Sequence, residues 1–372
     1  MKKKSFYILA LAALAVSCTN DELTTNETNA VVGFHALTSG VTTRAVNETN
    51  SVNLKDSPFD VYAFTETDGK LFIGKSLSES DYELSQGVEI RHNGSAWDYA
   101  NPADKAYWPT DKKLNFFAFH PQPDPSGGYS VEVFSASKQV VRYSVPTNAK
   151  FQKDLMYAIS RGVDKNTNAG KVKILFKHAL SQACFKAKTE MESMSVDVED
   201  IQIHNIAVDG DLTLPQIGTD ISMKDWNTQE KKHIAFEPKN LETPVMEIGT
   251  EAKELTGKMY LPQELTKWTP ENPETKTIDQ ANKEKQSYLS VLCKIKQNGV
   301  YLWGSEEKAL RLFVPFGVKW EPGKRYVYTL IFGGGYKDDG TQVLDQIKWE
   351  VEEMPWQDAP YDVNADTNVN VN

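Results

Sequence analysis

Short runs of Val, Ile, Phe and Tyr recur along the chain from Val31 onward, separated by clusters of Gly, Pro, Asn, Asp and Ser. No stretch keeps an apolar period of 3.6 residues over three turns, so the pattern is that of β-strands. In the first half the runs predict strands at Val31–Leu37, Phe59–Phe64, Leu71–Lys75, Val88–His92, Leu114–His120, Tyr129–Phe134, Val140–Val145 and Leu155–Ser160. Asp164–Gly170 (DKNTNAG) has the composition of a linker. A second set follows at Val172–Lys188, Ile201–Leu214, Lys258–Leu261, Tyr288–Lys296, Leu310–Phe316, Tyr326–Phe332 and Gln346–Val351, the first two long enough to bend or bulge. Two strand-rich halves point to an all-β chain of two antiparallel sandwiches in tandem, 31–166 and 167–356. Polar stretches at Thr219–Asn240 and Trp268–Gln286 read as surface insertions.

The end of the pattern carries its own question. From Gln342 to Val351 the residues alternate, with Val343, Ile347, Trp349 and Val351 on one face and Asp345 as the one polar residue among them. This segment is read either as the closing strand of the second unit or as a strand donated to another chain. Beyond Trp356 the polar tail 357–372 alternates only at Val369-Asn370-Val371. Two valines are thin for a donor, because each well-buried apolar side chain contributes about 1.5–3 kcal/mol. This argues against a shaft subunit and leaves a tip, accessory or non-polymerising role open.

The first eighteen residues break the β pattern. Lys2-Lys3-Lys4 precedes an apolar run from Phe6 to Val16 that is too short to span a bilayer. It ends in Ala15-Val16-Ser17-Cys18 and resembles a bacterial lipoprotein signal. That resemblance implies removal of residues 1–17 and acylation of Cys18, which holds a domain on a membrane durably. An ordinary secretory signal is the alternative. Residues 18–30 read as an acidic flexible tether, and Asp21-Glu22 resembles the signal for display on the outer face of the outer membrane.

The formal charge of the 372-residue chain is −10, and without residues 1–17, which hold three lysines and no acid, it is −13. No basic cluster offsets this, which argues against a nucleic-acid partner. Cys184 and Cys293 lie in apolar runs and read as buried thiols, with a disulfide left open. Six histidines, at 35, 92, 120, 178, 204 and 233, form no metal spacing, and His178 at the end of an apolar run reads as a hydrogen-bonded structural residue. Gly333-Gly334-Gly335 reads as a glycine-rich hairpin loop, since a phosphate cradle needs a helix start behind it. No catalytic residue, cofactor or metal site is indicated, so no enzyme activity is expected.

An ordered set of short segments resembles the Bacteroidales fimbrillins. It runs Val31-Val32-Gly33-Phe34, Thr42-Thr43-Arg44-Ala45, Phe59-Asp60-Val61-Tyr62-Ala63-Phe64, Tyr107-Trp108-Pro109 and Leu114 to Pro121. It continues through Asp154-Leu155-Met156-Tyr157-Ala158, Phe176 to Ser181, Leu261-Pro262-Gln263 and Gly323-Lys324-Arg325-Tyr326-Val327-Tyr328. The resemblance implies two Greek-key, transthyretin-like sandwiches without enzyme activity, displayed at the cell surface as an outer-membrane lipoprotein and built into a fimbrium. It also implies a cut after Arg44, before Ala45, that frees the first strand with Val32, Phe34 and Leu37.

Ser39 to Ala45 is small, polar and glycine-containing, the composition of a loop a protease can draw into its cleft. Loss of an edge strand would leave unpaired backbone groups that a strand of another subunit can fill, head to tail, in an open fibre. The rival expectation is a non-polymerising surface lipoprotein that binds a glycan or a host protein. It would use Trp97, Tyr99, Trp226 and Trp268 as an exposed stacking platform.

Overall fold

The computed structural model describes residues 30–38, 49, 53–76, 85–146, 151–228, 233–234, 244–344 and 347–356. Among them the regular structure is almost all strand. The one α-helix among the described residues, α1 (Ile278–Lys283), is six residues long, and none of their helices is long and apolar enough to cross a membrane.

The first half holds β1 (Gly33–Thr38), β2 (Phe59–Thr65), β3 (Leu71–Ile73), β4 (Val88–His92), β5 (Trp97–Tyr99), β6 (Leu114–His120), β7 (Tyr129–Phe134), β8 (Gln139–Ser144), β9 (Met156–Val163) and β10 (Lys171–His178). Seven of these close on themselves in the order β2-β4-β5-β1-β10-β9-β6, with β6 returning to pair with β2 and β3 added outside β2. Alternation fills the interior, where Phe34, Ala36, Phe59, Val61, Ile90, Phe116, Ala118, Ala158, Ile174 and Phe176 share one core. The opposite faces of β2, β6 and β9 are apolar as well. Tyr62, Phe64, Phe117 and Phe119 pack around the ring of Phe134 from β7, at centroid distances of 3.9 to 6.2 Å. This is why β2 is buried at every position and why its middle, Val61 to Phe64, is apolar without alternation.

The second half holds β11 (Ser181–Thr189), β12 (Met194–His204), β13 (Asp209–Thr213), β14 (Trp226–Asn227), β15 (Val245–Ile248), β16 (Lys253–Tyr260), β17 (Tyr288–Gln297), β18 (Val300–Trp303), β19 (Leu310–Pro315), β20 (Lys324–Phe332), β21 (Gly334–Tyr336), β22 (Gln342–Leu344) and β23 (Lys348–Pro355). A four-stranded sheet, β16-β11-β20-β23, faces a sheet of seven strands, β15-β12-β17-β19-β21-β22 with β18 beside β17. Phe185, Tyr328 and Leu330 from the first and Val291, Cys293, Leu312 and Val314 from the second belong to one core.

Four features depart from the sequence reading. The pairing is not purely antiparallel: β1 runs parallel to β10, and β11 parallel to β20. The run Val172–Lys188 is two strands in different sheets, because the chain turns at Ala179-Leu180 without a Gly or Pro to announce it. The stretch Asp164–Gly170 joins β9 to β10, which pair with each other, so a boundary at 166/167 falls inside one sheet. Finally, β7 and β8 form a four-stranded sheet with β13 and β14, so strands from both halves share a ladder. The glycine run 333–335 carries the chain from β20 into β21, crossing between the two facing sheets; the turn of the hairpin itself follows Tyr336.

Candidate functional site

β1 is read from the sequence as an edge strand, and the structure corrects this: it fills a slot inside the closed ring. On one side it pairs with β10 over six residue pairs, from Gly33↔Lys171 to Thr38↔Phe176. On the other it meets β5 at a single pair, Phe34↔Trp97. Just before the strand, the Val32 amide donates to the Ala106 carbonyl and the Trp108 amide to the Ala30 carbonyl, both at 2.9 Å. The ladder is thus continuous on one flank and sparse on the other.

Val32, Phe34, Ala36 and Thr38 point inward and are buried, and the Phe34 ring lies edge-on to Tyr99 and Phe116 at 5.5 and 6.5 Å. Leu37 does not share that face. Strand alternation leaves it half-buried on the outside, opposite Leu175. Cys18, Arg44 and Ala45 lie outside the described residues.

The chain reappears at Thr49, which is buried, and whose amide donates to Asp154 Oδ2 at 2.9 Å. Asp154 also meets His178 Nδ1, at 3.0–3.1 Å, and both side chains are almost completely buried. The plane of the His178 ring is fixed by Trp356, stacked on it at 4.1 Å and 4°. Trp356 is itself buried and donates its amide to the Gly323 carbonyl. Asp154 and His178 each stand in a segment that carries the family resemblance, but nothing in either segment shows that the two meet, and Trp356 stands only as a tryptophan directly after the last strand.

The candidate C-terminal strand is divided. Val343 lies in β22, its backbone paired to Gly335 in the seven-stranded sheet, whereas Trp349 and Val351 lie in β23, paired to Leu330 and Tyr328 in the facing sheet. Ile347, between them, is buried. Trp349 packs on Phe316 and Tyr328, both at 5.6 Å, but Val351 is 48% exposed. The four residues therefore form no single apolar face, and β23 is the outer strand of its sheet.

The aromatic platform is not assembled either. Tyr99, Trp226 and Trp268 are buried and Trp97 is half-buried. Trp268 belongs to a small core of its own with Ala281 and Tyr288, so the 268–286 insertion is packed down, and its indole N–H donates to the Thr275 carbonyl. An open cavity of about 820 Å³ lies where β6 ends, lined in part by His120, Pro121, Phe151, Lys153 and Asp154. Burial there lowers His120 to about 4, against a weaker opposing pull from Asp154, and its Nε2 meets the Ser57 hydroxyl at 2.9 Å.

Elsewhere Ser290 Oγ sits 2.8 Å from His204 Nε2, the spacing of a nucleophile and its base. Ser290 is fully buried and also accepts from Arg311, which pairs with Asp200 at 2.8 Å. The Ser290 hydroxyl is thus held in a network with a half-buried His204, Arg311 and Asp200. Among the described residues no three His, Cys, Asp or Glu side chains converge on a metal position. Neither Cys184 nor Cys293 is in a disulfide; Cys293 faces the core, where burial pushes its thiol up, while Cys184 alternates away from it.

Comparison with known proteins agrees with this picture. A family model described as fimbrillin-like matches residues 43–354. A fimbrial protein from Bacteroides vulgatus shares the fold, with a TM-score of 0.60 at 13% identity over 88% of this chain and 100% of that one. A candidate cell adhesion protein from Bacteroides ovatus aligns with a TM-score of 0.43, 13% identity and coverage of 88% and 97%. The tip fimbrial protein Mfa3 from Porphyromonas gingivalis, truncated at its C-terminus, aligns with 0.35, 10%, 81% and 94%. No relative is found among curated proteins.

Proposed function

The chain belongs to the fimbrillin-like family, and from that premise we propose that it is a structural and adhesive subunit of a cell-surface fimbrium that joins other subunits head to tail. It is exported as a lipoprotein, carried on the outer membrane by lipid on Cys18, and cut between Arg44 and Ala45. The cut frees β1, and the ring is completed by a strand of another subunit. The signal 1–17, tether 18–30, two β units and tail 357–372 are the parts of this design. We place the end of the first unit after His178, because β10 belongs to the ring.

The observation that carries the reading is the position of β1. It is the first strand among the described residues, precedes Arg44 in sequence, and is held by a full ladder on one flank and one residue pair on the other. Its departure would uncover the row of backbone groups on β10 and a slot shaped by Phe34 and Ala36. A replacing strand would gain the same hydrogen bonds and apolar pockets. Burial of three of the four aromatic residues of the expected platform weighs against a purely glycan-binding role.

The test is the N-terminus of the protein sheared from the surface of native cells, read by mass spectrometry. A chain that begins at Ala45 is the expected result. A lipidated Cys18 terminus on protein within fibres would overturn the processing step.

A further inference from the structure

The buried Asp154–His178 pair lies between two segments that are distant in sequence. On one side is Thr49, where the chain returns after β1; on the other is Trp356, the end of β23. The links are continuous: Thr49 N–H to Asp154 Oδ2 at 2.9 Å, the Asp154 carboxylate to His178 Nδ1 at 3.0–3.1 Å, imidazole to indole at 4.1 Å, and Trp356 N–H to the Gly323 carbonyl at 2.9 Å. We propose that this pair is a coupling node through which docking of the C-terminal strand end is felt at the chain entering from β1.

Each link constrains the next. The stacked indole fixes the plane of the imidazole, and within that plane the Asp154 carboxylate selects the orientation with Nδ1 toward it. A buried carboxylate must keep its partners, so the loss of one forces it to reorient toward another or toward water. The main-chain anchors around His178 are rigid: the Ala179 amide donates to the Leu155 carbonyl and the Gly323 amide to the Leu180 carbonyl, both at 2.8 Å, and the Trp226 indole donates to the Ala179 carbonyl at 3.1 Å. Motion is therefore confined to the side chains of the node, and Thr49 is where its effect reaches the main chain. Because coupling is reciprocal, release of Thr49 must loosen Trp356 by the same factor. The consequence for assembly rests on the processing step proposed above: undocking of the C-terminal strand would release the downstream end of the segment holding Arg44. The coupling itself does not depend on that step.

Amide hydrogen exchange on the full chain tests it. Trp356→Leu keeps an apolar side chain but removes the planar stack. It should speed exchange at Thr49 about tenfold, the equivalent of roughly 1.4 kcal/mol of lost protection, while β2 stays protected. In the reverse direction, Asp154→Asn should speed exchange at the Trp356 amide. Unchanged exchange at Thr49 in a folded Trp356→Leu protein would overturn the node. If that variant does not fold, Asp154→Asn decides: an unmoved Trp356 amide would equally overturn it. Trypsin adds an independent readout, since Arg44 is the only Lys or Arg between Thr38 and Thr49. Faster cutting there in Trp356→Leu, with unchanged cutting elsewhere, is expected. Faster exchange at Thr49 with unchanged cutting would sink the link to processing and leave the coupling standing.

Discussion

Phe34 and Leu37 are three residues apart on one short strand, and the ring gives them opposite fates. Phe34 is 4% exposed between Tyr99 and Phe116, whereas Leu37 lies on the outer face. Phe34→Ala should cost about 3–5 kcal/mol through lost burial and the cavity left behind, and Leu37→Ala about 1 kcal/mol. Chemical denaturation of the two variants checks this, and equal costs would place Leu37 inside. His120 makes a second prediction at this scale. Its folded value is lowered from 6.5 to about 4, mainly by burial. The unfolded chain therefore binds the proton first as the pH falls. Stability from this group is present above pH 6.5 and is lost between about 6.5 and 4, an effect of about 3 kcal/mol. His120→Gln should flatten the stability profile in that window, and an unchanged slope would mean that other groups carry it.

At the scale of elements, β23 shows how a strand can be indispensable and yet exposed. It pairs with β20 over eight residue pairs and brings Ile347 and Trp356 into the core, while its own outer flank carries Glu350, Glu352 and Glu353. Such charges deter edge-to-edge association. A chain ending at Leu344 should melt well below one ending at Trp356, followed by circular dichroism; equal melting would make β23 a detachable strand. The same elements show what periodicity could and could not reveal. Val88–His92, Leu114–His120 and Tyr129–Phe134 are legible to the residue, because apolar runs bounded by turn residues fix their limits. Trp97–Tyr99 is too short to show a period. The break at Ala179-Leu180 is hidden because both flanking strands and the turn itself are apolar. Partner choice is absent from any local pattern: nothing in Gly33–Thr38 says that its neighbour is Lys171–His178. For the same reason the segments holding Arg44, Asp154 and His178 can each be named from the sequence, and His178 reads as hydrogen-bonded, while the meeting of Asp154, His178 and Trp356 cannot.

Across the whole molecule the division into two halves is less sharp than the order of strands suggests. One core runs from Tyr62, Phe117 and Phe134 through Leu212 and Trp226 to Phe185 and Tyr328. Main-chain and side-chain links reinforce it: the Val145 amide donates to the Val208 carbonyl, and Gln152 bonds the Met259 amide and carbonyl at 3.0 and 3.2 Å. A shared core of this kind should unfold in one cooperative step. Scanning calorimetry of residues 31–356 is expected to give a single transition; two well-separated ones would restore independent halves.

The parallel course of β1 and β10 has a mechanical consequence. Traction that enters the chain at Gly33 and leaves it at His178 acts on opposite ends of the paired strands. It loads all six residue pairs in shear at once. An antiparallel partner would place both ends together and let the strands peel apart one pair at a time. Pulling is thus a poor way to empty the slot, and an uncut subunit held by its N-terminal end would keep its first strand against a steady drag that an unzipping joint would yield to.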